Sequence, residues 1–96
     1  MQDLERQMQA LEGLKSTLMH FMEQLAELSA SYNSTVNSLK ESGLTVQIAD
    51  NYANTYQQRN TEAISNLIRL IEEEDLPYVN RNIEALTDLI ERTRAN

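Results

Sequence analysis

The chain has 96 residues, with eight Lys/Arg against fifteen Asp/Glu for a net charge of −7, and it contains two Gly, one Pro and no Cys. This excludes a disulfide framework or thiolate site, supplies too few turn formers for an all-β domain, and scatters the cations too widely for a phosphate-binding surface. One small all-α domain with a thin core is the expected fold class.

From Leu4 to Leu39 apolar residues recur in steps of four and three: Leu4, Met8, Leu11, Leu18, Met22, Leu25, Tyr32, Val36 and Leu39, with only Lys15 and Ser29 breaking the series. This period predicts a first helix over about 2–40. Leu14, Phe21 and Leu28 form a second row at seven-residue spacing, so the apolar face is wider than the seam of a two-stranded coiled coil. The weak helix formers of Ser29–Thr35 are held helical only by the apolar step that continues through them.

A turn is expected over about 41–46. Lys40 suits the negative end of a helix, and Gly43 can take the left-handed conformation that ends one. Thr45 can cap the next helix, with Leu44 turned back toward Ala49, although Asp50 is a rival cap. A second helix then covers about 47–74. Its apolar positions fall into two rows, one of Ile48, Tyr52, Tyr56, Ala63, Leu67 and Leu70, the other of Ile64, Ile68 and Ile71. Folding the halves antiparallel about Gly43 sets Tyr32 near Tyr56, Leu25 near Ala63, Phe21 near Leu67, Leu18 near Leu70 and Leu11 near Leu76.

Pro77 removes a backbone donor and crowds the carbonyl of Glu73, which predicts a kink or break. The run Glu72-Glu73-Glu74-Asp75 suits a helix N-terminus. Asp75 is therefore the expected cap of a continuation over about 76–94, carrying Leu76, Val79, Ile83, Leu86 and Ile90.

The residues offer little chemistry. His20 falls away from the main stripe without the carboxylate spacing of a di-iron bundle, and the acidic run lacks the alternating ligands and Gly turn of a calcium loop. No phosphate loop, nucleophile elbow or Cys/His pair is present. A non-enzymatic protein with no cofactor, no metal, no small-molecule substrate and no nucleic-acid partner is expected. Apolar runs fall short of the ~18–20 residues that span a bilayer, the polar faces are acidic rather than basic, and the start Met1-Gln2-Asp3-Leu4-Glu5 lacks a signal peptide's basic and apolar blocks. The expected location is cytoplasmic, or secreted without a cleaved signal peptide.

What stands out is an imbalance. Two long helices with wide apolar faces have only one another to bury them against, and pairing two hairpins into a four-helix bundle would remove the exposed stripe. The partner interface is expected on Leu14, Phe21 and Leu28, on Ile64, Ile68 and Ile71, and on Tyr52 and Tyr56.

In length, in its two long helices and in its central turn the chain resembles the WXG family, the small helical-hairpin substrates and partners of bacterial type VII secretion. Gly43 precedes the turn motif, and Leu44-Thr45-Val46 stands at the position of the family's Trp-x-Gly, with Leu44 in place of Trp and Val46 in place of Gly. The family's C-terminal Tyr-x-x-x-Asp/Glu signal has no counterpart, since Tyr78 is followed four residues on by Asn82. The resemblance implies an accessory hairpin that pairs with the N-terminal helical domain of a larger LXG-type toxin or with another hairpin. The alternative from a different class is a structural or scaffolding coiled-coil subunit of a phage or cell-surface assembly, which would homo-oligomerise.

Overall fold

The structure is a computed structural model that describes residues 2–95. It is an all-α helical hairpin. Helix α1 (Gln2–Glu41) is followed after the turn by α2 (Val46–Tyr52), α3 (Gln58–Leu70) and α4 (Leu76–Ala95). π-Helical turns at Ala53–Gln57 and Ile71–Asp75 join α2 to α3 and α3 to α4. Packing divides the hairpin into two units, one made of the described residues up to Phe21 with those from Leu70 onward, the other of Met22–Arg69.

In the first unit Leu4, Met8, Leu11 and Lys15 are half-buried and Leu18 is buried. From α4 and the turn before it come buried Ile71, Val79, Leu86 and Ile90, with Ile83 half-buried. Val79 is the most enclosed of these at 2% exposure. Arg94 reaches Glu5 at 3.6 Å near the two chain ends, which fixes the antiparallel sense of the unit. Both groups are more than half exposed or nearly so, and such a pair stabilises by less than about 1 kcal/mol.

The second unit buries Val36, Ala49 and Ile64, with Met22, Leu25, Ser29, Tyr32 and Leu39 half-buried along α1. Its seam is more polar. The Asn60 side-chain amide donates to the Tyr32 hydroxyl at 3.4 Å, and the Gln57 side-chain amide donates to Asn33 Oδ1 at 3.1 Å. Gln57 Oε1 is buried with no hydrogen-bond partner among the described residues. Polar pairs of this kind fix the register of two helices at a cost in stability.

Lys15 and Ser29 break the apolar series in composition but keep their places in the seam, at half burial. Lysine tolerates such a place by laying its methylene stem along apolar neighbours. Across Ser29–Thr35 the helix continues, and the hydroxyls of Ser34 and Thr35 donate to the Ser31 carbonyl at 3.1 and 2.7 Å. These bonds satisfy the side chains without taking the carbonyl out of the helix.

Helix α1 ends in a Schellman motif. The Leu44 amide donates to the Leu39 carbonyl at 3.0 Å, the Gly43 amide donates to the Lys40 carbonyl at 3.2 Å, and Gly43 has φ +104°. Thr45 then caps α2: its backbone is extended and its hydroxyl accepts from the Ile48 amide at 3.3 Å. Leu44, half-buried before the cap, and Ala49, fully buried in the first turn, occupy the two positions of a hydrophobic staple. Asp50 does not cap; it pairs with Lys40 at 3.0 Å across the turn.

The two glycines make a matched test. A Cβ would meet nothing within 4 Å at either position, but only Gly43 has positive φ. Gly43→Ala should therefore destabilise by about 1–2 kcal/mol through backbone strain alone, whereas Gly13→Ala, inside α1, should stabilise by about 0.5–1 kcal/mol. Thermal melts followed by circular dichroism check both signs.

At Pro77 the expected disturbance takes the form of a π turn. The Leu76 amide donates five residues back to Ile71, and Leu76 has helical dihedrals of −65° and −43°. Asp75 therefore caps no new helix, because the backbone is helical on both sides of it. The wider turn moves the preceding carbonyls away from the proline ring, which removes the clash that would break an α-helix. Seam spacing records the same event. Ile71 and Val79 are eight residues apart, while Val79 to Leu86 and Ile83 to Ile90 are seven. In the second unit Ala49 to Gln57 is likewise eight and Gln57 to Ile64 seven, and the Ala53–Gln57 turn accounts for the extra residue.

Candidate protein-interaction face

Reversing a right-handed helix reverses its sense of rotation. In an antiparallel pair, the residues just before the seam positions of both helices therefore project to one side of the pair, and those just after to the other.

In the first unit the leading side carries Leu14 and Phe21 from α1, 44% and 48% exposed, together with Leu70, Tyr78 and Leu89. An open groove of about 230 Å³, lined by Leu14, Leu18, Glu74, Asp75, Tyr78 and Val79, shows that α1 and α4 share this side. In the second unit, taken by itself, the leading side carries exposed Leu28, Leu67, Ile48 and Tyr56. Tyr52 and Tyr56 lie 6.1 Å apart between ring centroids, and the Arg59 guanidinium sits 5.8 Å from the Tyr56 ring. The trailing side of this unit is polar, with a shallow pocket lined by Ser29, Asn33, Thr61, Glu62, Ser65 and Asn66. The second unit is thus amphipathic across its helix pair as well as within its seam, whereas the trailing side of the first unit also exposes Met19, at 47%.

The structure sorts the residues singled out in the sequence. Leu14, Phe21, Leu28 and Tyr56 are exposed on the leading sides, with Tyr52 half-buried among them. Ile64 and Ile71, at 8% and 5% exposure, and half-buried Ile68 belong to the hairpin's own seam and present little surface to a partner. Leu67 and Leu70, expected to face α1, are instead 46% and 45% exposed. At the expected Tyr32–Tyr56 level the hydrogen bond to the Tyr32 hydroxyl comes from Asn60, and Tyr56 is 52% exposed. Tyr78 and Leu89, 60% and 46% exposed, belong to the first unit's leading side, where the sequence did not lead them to be expected. Counting in sevens back from Ile90 through Ile83, and from Leu86 through Val79, would have identified the inner row and placed Leu89 and Tyr78 outside it.

In the turn, Gly43 supplies the positive φ, Leu44 is half-buried, and Val46 is 62% exposed as the first residue of α2. Val46 lies in ordinary helical backbone, so nothing at that position requires glycine. His20 is exposed, and among the described residues no three His, Asp or Glu side chains gather closely enough to hold a metal ion. Among the described residues no helix is long and apolar enough to cross a membrane.

Comparison with protein families, curated proteins and solved structures found no match to this chain.

Proposed function

We propose that this chain is a non-enzymatic partner protein whose activity is association, through its leading apolar sides, with another helical hairpin or with the N-terminal helical domain of a toxin, in support of type VII export. The observation that carries association is exposed apolar surface. Large aliphatic and aromatic side chains held half out of the fold on the leading side of each unit are the groups a partner interface covers.

The export role rests on the resemblance of the turn, where Gly43-Leu44-Thr45-Val46 supports a hairpin of that type with two substitutions in the motif. Scaffolding by self-association is the second reading, and the unbroken seven-residue period of the α1 seam favours it, as in structural coiled coils.

Co-expression with each helical protein encoded nearby, followed by affinity capture and light scattering, separates these readings. A one-to-one complex with a toxin N-terminal domain or a second hairpin supports export, and a self-assembled oligomer supports scaffolding. Leu14→Asp is expected to weaken the complex roughly tenfold or more. It should leave the melting curve nearly unchanged, because Leu14 stands outside the seam. A folded monomer at micromolar concentration that captures no partner would overturn both readings.

A further inference from the structure

The groove of the first unit has an apolar floor and an acidic rim. Leu14, Leu18, Tyr78 and Val79 form its walls, and Glu74 and Asp75 stand at its edge. Glu74 lies four residues after Leu70 and four before Tyr78, so it places a carboxylate between two exposed apolar side chains. Glu72, Glu73, Glu74 and Asp75 are all exposed, and among the described residues none of them makes an ion pair. The π turn holds this acidic run beside the groove.

We infer that this groove takes a basic amphipathic helix of a protein partner, with an Arg or Lys side chain laid along Leu14 and Tyr78 and its cationic head on Glu74 and Asp75. This rests on the association reading above and names the chemistry of the partner. A second copy of the chain fits poorly, because it would bring the same unpaired carboxylates and another net charge of −7 to the contact. A long cationic side chain answers both parts of the groove. Its stem covers apolar wall while its head neutralises the rim, and a guanidinium adds stacking on the tyrosine ring and forked hydrogen bonds to a carboxylate.

The test uses a synthetic amphipathic helical peptide of about three heptads, with Leu along its apolar stripe and Arg flanking it, beside the same peptide with Glu in place of Arg. Binding to the full chain is measured by fluorescence anisotropy at several salt concentrations. The Arg peptide is expected to bind and to weaken with salt, and the Glu peptide not to bind. Glu74→Lys should weaken the Arg peptide roughly threefold to tenfold. Glu84→Lys makes the same change in net charge on the opposite side of α4 and should shift binding less than about twofold. An equal loss in Glu84→Lys and Glu74→Lys would show that net charge and not the groove attracts the peptide, and would overturn the inference. Equal binding of both peptides would overturn it too, while leaving the association reading intact. If neither peptide binds and the chain captures no partner, both fall.

Discussion

Val79→Asp should abolish cooperative unfolding of the first unit or lower its stability by about 3–5 kcal/mol. Val79 is 2% exposed, and the structure provides the site with buried Leu18, Ile71, Leu86 and Ile90 as companions in its unit. A carboxylate there would be taken out of water among apolar side chains, or would have to be protonated. Urea titration followed by circular dichroism measures the effect. The informative comparison is Tyr78→Asp, one residue away and 60% exposed, where the loss should be within about 1 kcal/mol. Equal losses at the two positions would mean that α4 presents a different side to α1.

Deleting Glu73 should cost about 3 kcal/mol, and combining the deletion with Pro77→Ala should restore most of it. Removing one residue turns the eight-residue spacing from Ile71 to Val79 into seven, the spacing that the rest of the first unit's seam keeps, and so favours an ordinary α-helical turn. With proline in place that turn is obstructed, because the ring needs room at the carbonyl four residues earlier and the π turn provides it. Pro77→Ala alone should change stability by no more than about 1 kcal/mol, since the inserted residue still has to be accommodated for Val79 to reach the seam. The two changes are therefore coupled, and a double-mutant cycle on thermal stability reads the coupling. Additive losses would separate the proline from the π turn.

The helical hairpin, its turn at Gly43 and the seam along α1 were legible in the sequence, because heptad spacing, a lone central glycine and a capping threonine each leave a local mark. The inner row after the turn was not. Ala63, Leu67 and Leu70 stand one residue before Ile64, Ile68 and Ile71, so two adjacent rows are nearly equal in hydrophobicity and composition does not choose between them. The true seam also passes through Gln57 and Asn60, whose hydrogen bonds to α1 do the work that apolar contacts do elsewhere. Each π turn then adds a residue that a fixed helical period cannot represent, and a register extended from Gly43 at constant spacing drifts. That drift turned the outer row inward. The leading sides were half-visible as a result: their α1 residues were identified by their own spacing, while Leu67 in the second unit and Leu70, Tyr78 and Leu89 in the first required the phase of the second half.

The tyrosines give the molecule a built-in optical label. With no tryptophan, the near-ultraviolet signal belongs to four tyrosines and one phenylalanine. Three of the tyrosines, Tyr32, Tyr52 and Tyr56, lie in the unit that contains the turn, and Tyr78 alone reports from the other. Tyr32 is held by Asn60, whereas Tyr56 stands outside beside Arg59. A soluble quencher should therefore divide the emission into a shielded and an accessible class. Tyr78→Phe leaves a chain whose tyrosine emission comes from one unit only, so that a change in emission on binding reports a partner at that unit, without attaching a dye.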